Sequence, residues 1–233
     1  MDKRIDDLFS SIYERYDFFN HLFSFGFDIK WRRKVAGMAI LQRDNYQVLD
    51  VGTGTGDLAI YIWNALQEWK KHASITGIDF NVSMLSKAVE KAKTAGILDI
   101  RFEKRDALKT GYKNGSFDLI VSGFVLRSVG NLHSFSGEMA RLLKPGGRIL
   151  LLDMAYPKNR LARVYFDIHF WVMAAIGSLV GKDEAYGWLF GSIKAFDKKE
   201  LISVLSEDFD EIRMQELSPG IAYVVSGRKK TRP

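Results

Sequence analysis

Five short apolar runs rich in β-branched residues punctuate the chain at Gln47–Val51, Ile75–Asp79, Ile100–Lys104, Phe117–Ser122 and Arg148–Met154, and segments with helical spacing of apolar positions separate most of them. Helices are predicted over Asp57–Lys71, Val82–Ala95 and Leu132–Leu143, the second capped by Asn81 or Ser83 and stopped at Gly96. This alternation implies a parallel sheet, because strands that run the same way need a long, right-handed return over one face. Lys144-Pro145-Gly146-Gly147 turns the chain from helix into strand. Beyond Asp197, a helix carrying Leu201, Ile202 and Leu205 leads to strands Glu211–Leu217 and Ala222–Arg228, joined through Ser218-Pro219-Gly220 as a hairpin at one sheet edge. The fold class expected is α/β with a doubly wound, mostly parallel sheet.

Two segments stand outside the alternation. Residues 4–42 carry Ile5, Leu8, Phe9, Ile12, Tyr13 and Tyr16 at helical spacing, then an aromatic-rich bend, then a helix from about Ile29. Residues 158–195 form an insert between a strand and the last helix, rich in aromatic residues that include Phe170 and Trp188. Open α/β sheets bind ligands beyond the carboxyl ends of their strands, where such connections gather. We therefore read residues 1–233 as a single domain with an N-terminal helical lid (1–42) and a helical cap (158–195), plain core-covering helices being the alternative for each.

Composition narrows the chemistry. A chain of 233 residues with 47% apolar content can bury a full core. The formal charge of +6 suits an anionic surface, although 28 acidic residues are interleaved with the 34 basic ones. The dense cluster Arg228, Lys229, Lys230 and Arg232 is read as a disordered end without function. With no cysteine, disulfides, thiolate metal sites and a cysteine nucleophile are excluded. His21, His72, His133 and His169 have no metal-ligand spacing, so no metal is expected. The charged start of the chain lacks an apolar signal core, which predicts a cytoplasmic protein. The most lipophilic stretch, Val164–Val180, contains Asp167 and His169 and falls short of the roughly 20 apolar residues needed for a span.

The sharpest local signal is VLDVGTGTGD, Val48–Asp57: an apolar strand, a glycine-rich turn, then a helix. Gly52, Gly54 and Gly56 alternate as G-x-G-x-G, which differs from the spacing that admits a dinucleotide pyrophosphate. Such a turn, including Thr53 and Thr55, brings backbone against a compact ligand. Asp50 and Asp57 place carboxylates beside it, an arrangement that suits a cation better than a phosphate. S-adenosylmethionine offers a sulfonium and an ammonium. Asp79, ending the next strand, stands where an acid can take both ribose hydroxyls.

Read end to end, the chain resembles the class I S-adenosylmethionine-dependent methyltransferases and, more narrowly, the ubiquinone/menaquinone biosynthesis C-methyltransferase family. Tyr16-Asp17-Phe18-Phe19-Asn20-His21-Leu22-Phe23-Ser24-Phe25-Gly26 with Trp31 resembles that family's opening signature. The glycine turn, Asp79 with Asn81, Ser83, Met84 and Leu85, then Asp106-Ala107, Phe124-Val125-Leu126-Arg127-Ser128-Val129, and Arg141-Leu142-Leu143-Lys144-Pro145-Gly146-Gly147 follow in its order. Tyr186-Gly187-Trp188-Leu189 with Ser192-Ile193 resembles a further element. The chain departs from the pattern at Gly123 and Ser128, where the family carries a serine near the cofactor and an asparagine near the substrate, and also at His21 and Asp28.

The resemblance implies a seven-stranded sheet, S-adenosylmethionine as methyl donor with S-adenosylhomocysteine as product, and a prenylated quinol methylated at carbon. Besides the turn, Asp50, Asp57 and Asp79, it places Phe80 and Met84 against adenine, Asp106 and Ala107 at its amino group, and Gly123 near the cofactor. A carbon acceptor becomes nucleophilic once a ring hydroxyl loses its proton, and the resemblance assigns Arg127 to the developing phenolate. Asp28, Tyr16 and His21 are candidate base or orienting partners. Asn20, Ser128, Phe170 and Trp188 are candidate substrate contacts, the last two along a slot for an isoprenoid tail, where each buried methylene contributes about 0.8 kcal/mol. Partners expected are the lipophilic quinol and peripheral contact with a membrane surface; a homodimer is left open.

Other acceptors remain. A smaller phenolic or lipophilic substrate fits the same motifs, and a non-catalytic cofactor-binding protein is a further alternative. A nucleic-acid methyltransferase fits poorly: no N-P-P-Y or D-P-P-Y follows the strand ending near Ser122, cysteine-dependent pyrimidine methylation has no nucleophile, and no basic-aromatic stacking pattern appears.

Overall fold

The computed structural model describes residues 24, 26–179 and 183–231. Helix α1 (Phe27–Ala39) precedes β1 (Tyr46–Val51), α2 (Asp57–Glu68), β2 (Ala73–Asp79), α3 (Val82–Thr94), β3 (Ile100–Lys104) and β4 (Phe117–Gly123). A single 3-10 turn, Leu126–Ser128, leads to α4 (Leu132–Leu142) and β5 (Leu143–Met154). Then come α5 (Arg160–Leu179), α6 (Asp183–Ala195), α7 (Lys198–Asp208), β6 (Phe209–Leu217) and β7 (Ala222–Lys229).

The strands form one seven-stranded sheet in the order β3-β2-β1-β4-β5-β7-β6. β1 to β5 run parallel, and β7 enters antiparallel between β5 and β6, which makes β6 the hairpin's edge strand. Central strands read as near-continuous apolar runs because helices cover both faces. Alternate residues feed opposite cores: Val48, Leu119, Val121, Leu150 and Leu152 pack with α1 and α2. Leu49, Ile120, Ile149, Leu151 and Tyr223 pack with Phe135 and Met139 of α4 and Leu201 and Leu205 of α7. From β1 the chain winds outward through β2 and β3, then returns to lay β4 on the other side of β1. That reversal opens a crevice at the carboxyl ends of β1 and β4.

Sequence boundaries hold with informative shifts. Asn81, not Ser83, caps α3, its side chain accepting from the Met84 amide at 3.0 Å. α2 stops at Glu68, three residues early, with Lys70 left-handed at φ 50°. β5 begins at Leu143 rather than Arg148: Leu143 pairs with Phe117 and the register shifts before Arg148 pairs with Leu119, so the turn residues lie within the strand. The basic C-terminal cluster is partly structural. Arg228 and Lys229 belong to β7, and the Lys229 and Lys230 ammoniums donate to the Leu143 and Ser206 carbonyls.

The insert is helical as expected. Phe166 and Phe170 of α5 close on Phe190 and Ile193 of α6 and on Met154 at the end of β5. Ring centroids stand 4.6 Å apart for Phe166–Phe170 and 4.9 Å for Phe170–Phe190. Most of the N-terminal lid, including Tyr16, Asn20 and His21, lies outside the described residues.

Candidate active site

A cleft lies where the sheet order reverses. Its floor is the glycine turn. Gly52, Gly54 and Gly56 have φ of 66°, 54° and 83°, a left-handed run that side chains with a Cβ rarely adopt. At Gly52 a Cβ would stand 2.3 Å from Cγ2 of Val125, so only glycine lets the turn pass under the β4 exit. At Gly54 nothing stands within 4 Å: the backbone faces open space.

Asp79 ends β2 and lines the cleft. One carboxylate oxygen accepts from the Gly54 amide and the other from the Asn81 amide, both at 2.9 Å, which fixes the group at the mouth of the turn. Phe80 and Met84 supply apolar wall, Ala107 closes the far end, and Gly123 and Ser128 face them from the β4 side.

Several expected contacts sit elsewhere. Asp50 is wholly buried and is not among the described lining residues. Its Oδ2 accepts from the Thr53 hydroxyl at 2.7 Å, while Oδ1 has no partner among the described residues. Burial pushes its carboxyl up to about 7, against the pull of the Thr53 hydroxyl and Ala59 amide and with the help of the Asp79 charge. Asp50 braces the turn from below. Asp57 faces Lys91 of α3 at 2.6 Å and Arg32 of α1 at 3.7 Å, tying α2 to its neighbours. Thr55 is buried and takes a bond from Lys91. Of the four acids expected around the ligand, Asp50, Asp57, Asp79 and Asp106, Asp79 alone is among the described lining residues.

Asp106 turns its carboxylate onto the Leu108 amide at 2.8 Å, away from the cleft, and its neighbour Arg105 lines the wall instead. The Arg105 guanidinium lies 4.1 Å from the Tyr112 ring centroid and donates to Glu103 at 2.8 Å. Burial raises the Glu103 carboxyl, but bonds from Arg105 and Tyr112 outweigh it and hold the group below its ordinary range. Burial and the Glu103 bond together push the Tyr112 phenol up to about 12. Position directly after β3 is the one signal that pointed to Arg105.

Phe124 was also missed as wall. It is a non-glycine residue at φ 64°, set at the β4 exit between Trp31 and the Arg32 guanidinium, whose Cζ is 5.0 Å from its ring centroid. It packs against both the main core and the cap cluster of Phe166 and Phe170, so one ring connects cap and cleft. Backbone strain of this kind persists only where surroundings enforce it.

Two of the three expected catalytic groups, Arg127 and Asp28, are engaged, and the third, Tyr16, lies outside the described residues. The Arg127 side chain is 4% exposed and does not line the cleft: Nε donates to Asp153 at 2.7 Å and a terminal nitrogen to the Ser192 hydroxyl at 2.9 Å. Asp28 is buried in α1, where it accepts from the Ser24 hydroxyl at 2.5 Å and pairs with Arg32. Phe170 is buried in the cap, and Trp188 is half-buried on α6 outside the cleft lining. Among the described residues no cluster of ligands could hold a metal.

The sequence profile of the ubiE/COQ5 methyltransferase family matches residues 1–229. The chain belongs to that family. Among its curated relatives, the demethylmenaquinone methyltransferase of Deinococcus radiodurans is 38% identical over 229 residues, covering 97% of this chain and 92% of the relative. The enzyme of that name in Thermus thermophilus is 34% identical, covering 94% and 99%. A ubiquinone/menaquinone biosynthesis C-methyltransferase of Geobacter sulfurreducens is also 34% identical, covering 97% and 89%. Solved structures share the fold at lower identity. An S-adenosylmethionine-dependent methyltransferase from Aquifex aeolicus superposes with a TM-score of 0.60 at 18% identity, covering 85% of this chain and 89% of that one. A protein from Methanococcus maripaludis described as a candidate of that class gives 0.63 at 17%, covering 99% and 93%. For a ubiE/COQ5 family member, the departures at Gly123 and Ser128 fall on two lining residues of the cleft.

Proposed function

We propose that this protein methylates a ring carbon of a demethylated, prenylated quinol such as demethylmenaquinol, with S-adenosylmethionine as donor. The family match across residues 1–229 carries the reading. The cleft fits the donor on its own chemistry: an apolar slot at Phe80, Met84 and Ala107 for a flat ring, the Asp79 carboxylate for a vicinal diol, and open backbone at Gly54. The donor supplies a sulfonium-activated methyl group, so the protein's work is alignment and exclusion of water.

Asp79 holds the diol, and its negative charge favours a cationic ligand. Asp50 and Thr53 set the turn. Gly123 faces the donor and Ser128 the acceptor, where glycine and a short hydroxyl leave more room than serine and asparagine. Arg127 is a positioning residue: its bonds to Asp153 and Ser192 fix the 3-10 turn that carries Ser128 and dock α6. Residues 158–195 cap the acceptor end, with the Phe166–Phe170–Phe190 cluster behind Phe124 as the apolar side that suits a prenyl tail.

The test pairs binding with turnover. Calorimetry should detect S-adenosylhomocysteine binding to the wild type and its loss in Asp79→Asn, with unchanged circular dichroism. Incubation with the donor and a reduced demethylnaphthoquinone should yield a product heavier by one methyl. Absence of binding in folded wild-type protein defeats the donor assignment; binding without methylation of any quinol, but with methylation of a simple phenol, leaves the donor and replaces the acceptor.

A further inference from the structure

Of the eleven exposed large hydrophobic side chains among the described residues, six lie on α5. Leu161, Val164, Ile168, Trp171 and Val172 recur at i, i+3, i+7, i+10 and i+11, so they share one face of the helix. They are 80%, 52%, 59%, 73% and 40% exposed. The opposite face is already used, since Phe166 and Phe170 seat α5 on α6 and the end of β5. Among the described residues, the helix is thus apolar on two sides with only one covered. α5 has 20 residues, but Arg160, Arg163 and Asp167 interrupt it, and no described helix is long and apolar enough to cross a membrane.

Charge identifies what covers the free side. Lys158, Arg160 and Arg163 stand exposed around the start of α5. The Arg163 guanidinium donates to the Lys158 carbonyl and forms no ion pair among the described residues. Asp167, the acid on this helix, is offset by Lys194 at 3.3 Å. The patch therefore combines an apolar stripe with a net positive rim, the pattern of a helix lying in the headgroup plane with cations toward anionic headgroups. We propose that the outer face of α5 is a docking surface for an anionic lipid bilayer, into which Ile168 and Trp171 insert while Arg160 and Arg163 contact lipid phosphates. This goes beyond the methyl-transfer reading and stands on exposure and charge alone. In combination with it, the geometry sets the capped end of the cleft beside the bilayer.

Co-sedimentation of the full-length protein with vesicles tests the surface. Wild type should bind vesicles of phosphatidylcholine mixed with phosphatidylglycerol and release as salt rises. Ile168→Asp combined with Trp171→Asp should weaken that binding about tenfold or more, since two apolar insertions are lost. Arg160→Glu combined with Arg163→Glu should reduce binding to the level seen with phosphatidylcholine alone. Methylation of a short-tailed, water-soluble acceptor should be unchanged in both variants. Equal wild-type binding to neutral and charged vesicles, or binding unaffected by the Asp variants, overturns the proposal. So does a wild-type dimer in ultracentrifugation that the Asp variants convert to monomer, which would make this face a contact between copies. Loss of the methylation reading would appear as inactive wild type on the soluble acceptor and leaves the vesicle result to be judged separately.

Discussion

At the glycine-turn end of the cleft, the shaping groups come from two adjacent strand ends: Asp50 in β1 with Gly52, Thr53 and Gly54 after it, and Asp79 closing β2 with Phe80 and Asn81 after it. At the cap end they come from four separated segments, with Arg127 after β4, Asp153 in β5, Phe170 in α5 and Ser192 in α6. The first end is held by hydrogen bonds of Asp50 to the Thr53 hydroxyl and of Asp79 to the Gly54 and Asn81 amides. The second is held by one buried ion pair and an aromatic cluster. A donor site made this way keeps its shape within one α/β unit, whereas the acceptor side depends on how the cap is docked and can be altered without disturbing the turn.

The severest way to separate the two ends is to remove Arg127. In Arg127→Ala the Asp153 carboxylate, 0% exposed and with Oδ2 already lacking a partner among the described residues, loses its ion pair. Leaving a buried charge unpaired costs about 3–5 kcal/mol. Chemical denaturation should show a loss of that size, and folded Arg127→Ala should still bind S-adenosylhomocysteine at the remote turn. A phenolate-contact role would instead leave stability near wild type and reduce turnover alone, so the two measurements decide between bracing and direct catalysis.

That contrast also marks what a sequence can disclose. The parallel sheet, its hairpin edge and the glycine turn were legible because their causes are local: apolar runs between helical segments, turn residues and alternating glycines. Asp50 was misplaced because its character is set by burial, which puts it beneath the turn. Asp57 and Asp28 were misplaced because Lys91 and Arg32, one on another helix and one a turn along the same helix, claim them. The contacts of Arg127 are hidden for the same reason at longer range: Ser192, 65 positions away, and Asp153, 26 away, are partners that no spacing rule connects. Phe124 gave no sign, because its left-handed backbone is imposed by its neighbours.

A milder perturbation reaches the turn. Thr53→Val removes the hydroxyl that donates to Asp50, leaving both carboxylate oxygens short of partners at a cost of about 1–3 kcal/mol. The pH dependence gives a second signature. A buried carboxyl held near 7 keeps its proton in the folded state while the unfolded chain loses it near the ordinary value, so this group's contribution is greatest below that value and declines as pH rises toward 7. In Thr53→Val the decline should extend above pH 7, because one of the influences that lowers the Asp50 carboxyl is gone. Denaturation at mildly acidic and mildly alkaline pH should show a larger difference in the variant, together with weaker donor binding.

The smallest expected effect isolates the cap. Ser192→Ala removes the hydroxyl that accepts from Arg127 and donates to the Leu189 carbonyl at 2.7 Å, while the Arg127–Asp153 pair is retained. Losing one such bond costs about 1 kcal/mol, and the loss falls on the attachment of α6, leaving the sheet intact. Hydrogen exchange should therefore speed up in α6 and the adjoining part of α5 while β1, β2 and α2 keep wild-type protection. Donor affinity should be unchanged, and, with the prenyl tail packed on the cap's apolar cluster as proposed, turnover should fall more for an acceptor with a long tail than for a tailless one. Equal loss for both acceptors would mean that α6 shapes the reacting end of the cleft, and the division between a self-contained turn and a separately docked cap would have to be redrawn through Phe124, the one ring that packs on both.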